Sequence, residues 1–144
     1  MTITKNQFTI TTEKEKFDIE VIHSFLTRSY WAEGISKEVI KRSIEGALCF
    51  GLFENGKQIG FARMITDKAT FAYLADVFII EEYQGRGLSK WLMEVIMSHP
   101  SLQGLRRMML ATRDAHGLYE KFGFTALNHV DRWMQINDPN IYKQ

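Results

Sequence analysis

The sequence predicts a single α/β domain of 144 residues built on a mixed sheet, with elements in the order β-α-α-β-β-β-α-β-α-β-β. Three observations point there. Strand and helix periodicities follow one another in that order, an Asn-Gly pair sits between two apolar runs, and a glycine-rich turn joins a long apolar strand to an amphipathic helix. A chain of this length buries roughly two-thirds of its extended surface around one core, and no linker or repeat marks a second domain, so residues 1–144 are one unit.

Phe8 to Thr12 alternates weakly and reads as a first strand. Phe17 to Arg28 places Val21, Ile22, Phe25 and Leu26 on one helical stripe, and the loop Ser29 to Gly34 follows. Ser36 can cap a second helix in which Ile40 and Ile44 stand one turn apart, and Gly46 ends it. Ala47 to Phe53 and Gln58 to Thr66 flank Glu54-Asn55-Gly56-Lys57, a hairpin whose turn suits residues that tolerate positive φ. Phe71 to Ile80 is long and apolar, as a strand covered on both faces would be.

Beyond the glycine turn, Leu88, Trp91, Leu92, Val95 and Ile96 recur on one helical face until His99-Pro100 stops the helix. Arg107 to Thr112 is a further strand, and Asp114 can cap a short helix carrying Leu118, Tyr119 and Phe122 that Gly123 terminates. Thr125 to Leu127 and Arg132 to Ile136 are expected to close the sheet as two strands.

Composition removes several function classes. Eighteen Lys and Arg stand against 17 Asp and Glu, a net charge of +1, and the basic residues are scattered, so no field draws nucleic acid or an acidic membrane. No apolar run approaches the roughly 20 residues needed to span a bilayer, and the first residues lack a signal pattern. The lone Cys49 fits a reducing compartment, and the expectation is a cytoplasmic protein. The four histidines are dispersed and no cluster has metal-ligand spacing, so no metal is expected.

The segment Gln84-Gly85-Arg86-Gly87-Leu88-Ser89 is the most informative in the chain. Glycines at a strand-to-helix turn let backbone amides converge, and the unpaired first-turn N–H groups of the helix favour phosphate oxygens. A tight turn that binds nothing would look the same in isolation. The Rossmann pattern would need a third glycine where Lys90 stands and an acidic residue near Leu105, and no Gly-Lys-Ser/Thr string supports a Walker loop.

Asp76-Val77-Phe78-Ile79-Ile80-Glu81-Glu82-Tyr83 followed by the glycine turn resembles motif A of the GNAT N-acetyltransferase superfamily, written Q/R-x-x-G-x-G/A. Ala115-His116-Gly117-Leu118-Tyr119-Glu120-Lys121-Phe122-Gly123-Phe124 resembles the later Leu-Tyr-x-x-x-Gly-Phe signature of the same family. Ser89 departs from the usual Gly or Ala, though its hydroxyl is small and able to reach a phosphate.

The resemblance implies a GNAT-type domain that transfers an acyl group from acetyl-coenzyme A to a primary amine in a ternary complex. It implies pyrophosphate on the amides of Gln84, Gly85, Arg86, Gly87, Leu88 and Ser89, and a pantetheine arm added strand-like to Val77, Phe78 and Ile79. A backbone N–H of Val77 or Phe78 would face the thioester carbonyl, and Tyr119 occupies the usual general-acid position. Tyr119 that only packs and orients the ligand is the alternative.

An alkyl ammonium of pKa about 10.4 must lose its proton before attack. Asp76, a carboxylate in an apolar strand, is a candidate base acting through water, or else it is salt-bridged to Arg63 or Arg113. Trp31 and Glu33 lie where this fold places its acceptor pocket, as a cation site of ring and carboxylate, with Trp31 as a core cap the alternative. The acceptor class stays open among small-molecule and peptide amines. A non-catalytic acyl-coenzyme A sensor of the same fold is the competing function, and a homodimer through Thr125 to Ile136 is an expectation by analogy.

Overall fold

The computed structural model describes residues 1–143. Six strands form one sheet in sequential order: β1 (Thr2–Lys5), β2 (Phe8–Thr11), β3 (Leu48–Glu54), β4 (Lys57–Thr66), β5 (Phe71–Ile79) and β6 (Arg107–Leu110). The first five pair antiparallel, and β6 lies parallel to β5. Parallel neighbours need a crossover, here supplied by α3 (Leu88–Ser98).

Helices α1 (Ile19–Leu26) and α2 (Lys37–Glu45) cover one face, packing Ile22, Leu26, Ile40 and Ile44 with Cys49, Phe53, Phe61 and Phe78 of the sheet. On the other face Leu88, Leu92, Met93 and Ile96 of α3 meet Phe50, Leu52, Met64 and Leu74. Side chains that alternate across the pleat therefore find an apolar layer on both sides, which is why β3, β4 and β5 read as nearly unbroken hydrophobic runs.

Local signals behave as their chemistry dictates. Ser36 Oγ accepts from the Val39 amide at 3.2 Å, capping α2. The hairpin between β3 and β4 turns through Asn55 and Gly56, at φ 47° and 87°. Asp18 caps α1, so the helix begins after Phe17 and not at it: Asp18 Oδ1 accepts from the Glu20 and Val21 amides while Phe17 turns into the core.

The order differs from expectation at both ends. An unforeseen first strand, Thr2–Lys5, pairs with β2 through Asn6 at φ 57°, and places Thr2 opposite Thr11 and Thr4 opposite Thr9. The expected closing strands at 125–127 and 132–136 are absent. That stretch holds a single turn of 3-10 helix at Val130–Arg132 and no ladder partner among the described residues, so β6 is the last strand of the sheet and its outer edge is left unpaired. Nor does Asp114 cap the short helix α4 (His116–Glu120); Thr112 Oγ1 instead accepts from the Ala115 amide at 3.1 Å.

Candidate active site

The site follows from a divergence of two strands. β5 and β6 pair only from Phe71 opposite Arg107 to Leu74 opposite Leu110, after which Ala75–Ile79 continues with partners on the β4 side alone. The divergence coincides with a bulge. The β4–β5 register shifts between Phe61 and Arg63, and Asp76 takes the left-handed conformation at φ 55°, which Asp tolerates better than most residues. Between the parted strands opens a cleft of about 430 Å³ lined by Tyr30, Trp31, Tyr73 to Val77, Leu110 to Ala115 and Tyr119.

Asp76 is only 8% exposed, and both its oxygens are engaged: Trp31 Nε1 donates to Oδ1 at 2.9 Å and Arg63 Nε to Oδ2 at 2.8 Å. Of the alternatives open for Asp76 in the sequence, the ion pair with Arg63 is thus present, and Arg113 lies elsewhere. The Arg113 guanidinium stacks 3.9 Å above the ring of Tyr30, and its amide donates to the Tyr30 hydroxyl at 3.1 Å. Tyr30 thereby ties the α1–α2 loop across the mouth of the cleft to the chain entering α4. Trp31 packs edge-on to Tyr30 at 5.1 Å and stays 41% exposed, so it walls the cleft instead of capping the core.

Glu33 does not line the cleft, which corrects the expectation of a carboxylate beside Trp31. Its Oε2 lies 3.2 Å from Lys143 Nζ, both groups exposed, because Gly34 at φ 86° turns the loop away after Ala32 buries. The carboxylate that does face Trp31 is Asp76.

Tyr119 comes from α4 to the opposite wall, 8% exposed and edge-on to Phe124 at 5.9 Å. Burial, with smaller contributions from Tyr30 and Asp114, pushes its phenol above the ordinary value of 10.0. The proton therefore stays on Tyr119 throughout the neutral range.

At the far end of β5 the turn of 3-10 helix Glu81–Tyr83 leads into the glycine turn. Gly85 and Gly87 sit at φ 79° and 77°, and a Cβ on either would meet nothing within 4 Å, so the glycines serve backbone conformation and leave open space before the helix. Gly87 is the N-cap of α3 and brings no capping side chain, which leaves the first-turn amides uncapped and pointing into that space. An uncapped helix N-terminus that faces open space fits a pyrophosphate. Two side chains of the segment have other work. Gln84 Nε2 donates to the Ile79 carbonyl at 2.8 Å, pinning the end of β5, and Arg86 folds back to the Glu82 carbonyl at 3.1 Å and over the Tyr83 ring. Ser89 stands half-buried in the first turn of α3.

The sequence missed Tyr30 and Tyr73 as parts of this site. The adjacency of Tyr30 to Trp31 was the only available signal for the first; of Arg63 and Arg113, both open as partners of Asp76 in the sequence, the β4–β5 register brings Arg63 beside it. Among the described residues there is no group of His, Cys, Asp and Glu that could hold a metal ion, and no helix is long and apolar enough to cross a membrane.

Comparison with known proteins bears on this geometry. A model of the acetyltransferase (GNAT) family matches residues 19–124. A candidate acetyltransferase of Gibberella zeae is 30% identical over 141 residues, covering 82% of this chain and 78% of that one. The crystal structure of a candidate GNAT-family acetyltransferase of Xanthomonas campestris superposes with a TM-score of 0.93 at 46% identity, covering 95% of this chain and 97% of that one. A GNAT-family acetyltransferase of Elizabethkingia anophelis with acetyl-CoA bound shares the fold at a TM-score of 0.64 and 18% identity, over 84% of this chain and 78% of that one.

Proposed function

Because the chain belongs to the GNAT acetyltransferase family, we propose that it transfers an acetyl group from acetyl-coenzyme A to a primary amine, by direct attack with both reactants in the cleft. What supports this most is the parting of β5 from β6: the backbone of Ala75–Ile79 is unpaired on one side, between an uncapped glycine turn and a buried phenol. An extended ligand can add to that edge as a strand would.

In this reading the amides from Gly85 to Ser89 hold the pyrophosphate, and the edge of Val77, Phe78 and Ile79 holds the pantetheine arm. Bound acetyl-coenzyme A supplies an activated acyl group as a thioester. An amide of Val77 or Phe78 donates to the thioester carbonyl oxygen, which gains charge as the amine attacks. Tyr119 gives its proton to the departing sulfur; its raised pKa keeps that proton in place at neutral pH while making it less acidic than the thiol it forms, so the donation must be concerted with C–S cleavage.

Asp76 acts as a positioning residue. With Arg63 on one oxygen and Trp31 on the other, its carboxylate fixes the β5 bulge and the indole plane, and the ammonium proton leaves through water in the cleft. The rings of Tyr30, Trp31 and Tyr73 then offer an aromatic wall to the cationic form of the amine on its way in.

The test is amine-dependent release of coenzyme A thiol, screened over small amines and peptide amines, alongside thermal unfolding with acetyl-coenzyme A. Stabilisation together with thiol release is expected. Stabilisation without release for any amine would leave a binding module, and no stabilisation at millimolar ligand would remove the reading altogether.

A further inference from the structure

Three charged side chains line the cleft: Asp76, Arg113 and Asp114. Asp76 is spent on Trp31 and Arg63. The other two are not, for among the described residues neither Arg113 nor Asp114 has an ion-pair partner, whereas Arg28 is held by Glu81 and Arg63 by Asp76. Asp114 stands just ahead of α4 without capping it, because Thr112 Oγ1 takes the Ala115 amide, so its carboxylate is left to the cleft. It lies near enough to Tyr119 for its charge to add to the effect of burial on the phenol.

Arg113 is set in place before any ligand arrives. The Tyr30 hydroxyl takes its amide and the Tyr30 ring underlies its guanidinium, an arrangement that fixes the side chain yet keeps the N–H groups at the edge of the fork available. A planar fork matches a carboxylate, and the neighbouring Asp114 matches an ammonium. Adjacent unpaired charges of opposite sign therefore suit a ligand that carries both. A polycationic amine would set its further ammonium groups against Arg113, and a lysine within a peptide brings no carboxylate beside its amine. Trp31 and Tyr73 supply the aromatic surface next to the two charges. The groove of about 1090 Å³ along the outer edge of β6 also reaches Tyr119, but Arg106, Arg107 and Arg132 line it against the single carboxylate of Glu120, so an ammonium is drawn in from the cleft side.

Resting on the acetyl-transfer reading, we infer that the acceptor is a free α-amino acid with a large apolar side chain: Arg113 takes its carboxylate, Asp114 its α-ammonium, and Trp31 and Tyr73 its side chain. The ammonium gives one proton to water, and the nitrogen lone pair then forms the N–C bond to the acetyl carbon as the C–S bond breaks. Sulfur takes the electron pair of that bond together with the Tyr119 proton. The proton that nitrogen sheds on acylation returns to the Tyr119 phenolate through water, leaving an N-acetyl amino acid and coenzyme A. Acylation also removes the positive charge that Asp114 holds, which favours release of the product.

The test compares kcat/KM, by thiol release, for phenylalanine and leucine against phenethylamine and isopentylamine, the same skeletons without the carboxylate. The wild type should favour each amino acid over its decarboxylated partner, and Arg113→Gln should cut that preference by about 10- to 100-fold, as loss of a charge-assisted pair does. Taking the ratio within each protein cancels the intrinsic reactivity of the amines. An Arg113 that only fastens the loop to Tyr30 would lower both rates and leave the ratio unchanged, which overturns the inference. Asp114→Asn should raise KM for all the amines and preserve the ratio; an unchanged KM overturns the two-point hold. A wild type indifferent to the carboxylate, or averse to it, overturns the inference and leaves acetyl transfer standing. If no amine releases thiol, acetyl transfer fails by itself, and calorimetric titration of phenylalanine into protein saturated with coenzyme A decides the matter. Binding that Arg113→Gln abolishes supports the inference, and binding that is absent, or indifferent to that substitution, overturns it.

Discussion

Arg63 and Asp76 form a nearly buried ion pair across the β4–β5 bulge, Nε to Oδ2 at 2.8 Å, with side chains 18% and 7% exposed. The pair sits where β5 leaves β6, so the charge that stabilises the bulge also shapes the cleft. Breaking such a pair from one side strands the other charge, at a cost of about 3–5 kcal/mol. Asp76→Asn keeps tolerance of positive φ and an acceptor for Trp31, so its loss of stability in denaturant titration, at unchanged m-value, reports the charge. Adding Arg63→Met should recover part of that loss, because the stranded guanidinium is gone. A positioning role for Asp76 further requires that the acid limb of kcat/KM survive in Asp76→Asn while KM for the amine rises; disappearance of that limb would make Asp76 the base.

The glycine turn separates folding from binding. Gly87 at φ 77° opens on empty space, so Gly87→Glu strains the backbone by about 1–2 kcal/mol without a clash, yet aims a carboxylate where phosphate oxygens would sit. Acetyl-coenzyme A at 100 times its dissociation constant should stabilise the wild type by about 2.7 kcal/mol, a rise in Tm of about 5–11 °C. The variant should stay folded and show no rise. A full rise in Gly87→Glu would remove the turn as the pyrophosphate site.

Cys49 bears on alkaline stability. Burial pushes its thiol up to about 12 from an ordinary 9.0, so below pH 9 both folded and unfolded chains hold the proton and nothing changes with pH. Above that the unfolded chain releases its proton first, and stability falls as pH rises toward 12, by about 1.4 kcal/mol per unit at most. Unfolding midpoints between pH 8 and 11 should decline, and Cys49→Ala should flatten the decline while lowering stability at pH 8 through the lost packing. The thiol should not react with Ellman's reagent until the protein unfolds.

The middle of the fold was legible from local chemistry. Ser36, Asn55-Gly56 and the stripe from Leu88 to Ile96 each carry their own structural instruction, and the elements stand where those residues put them. The ends were not, because their outcome depends on partners. Thr2–Lys5 becomes a strand by pairing with β2, a relation no window of residues displays, whereas Arg132–Ile136 has strand composition yet joins no ladder among the described residues. The cleft divides in the same way. The glycine turn is contiguous and was readable, while the Trp31–Asp76–Arg63 network joins residues from the α1–α2 loop, β5 and β4, and the turn of Glu33 toward Lys143 depends on a contact with the far end of the chain.

Tyr119 provides the sharpest division between chemistry and packing. It is buried against Phe124 in the wall shared by cleft and groove, a position that either role would explain. Tyr119→Phe keeps the ring and deletes only the hydroxyl, so packing and acetyl-coenzyme A stabilisation should be retained. If the phenol donates the proton, kcat falls by about 10²- to 10⁴-fold, equivalent to roughly 3–5 kcal/mol of barrier. The pH profile supplies an independent sign. The acid must be protonated to act, and burial raises its pKa above 10.0, so kcat should hold or climb between pH 7 and 9 as more amine loses its proton, and decline only above pH 10. In Tyr119→Phe the same climb should persist at a lower level, since amine deprotonation is untouched, but the decline above pH 10 should vanish. A phenylalanine variant with near wild-type kcat would reduce Tyr119 to a packing residue and leave the thiolate to take its proton from water.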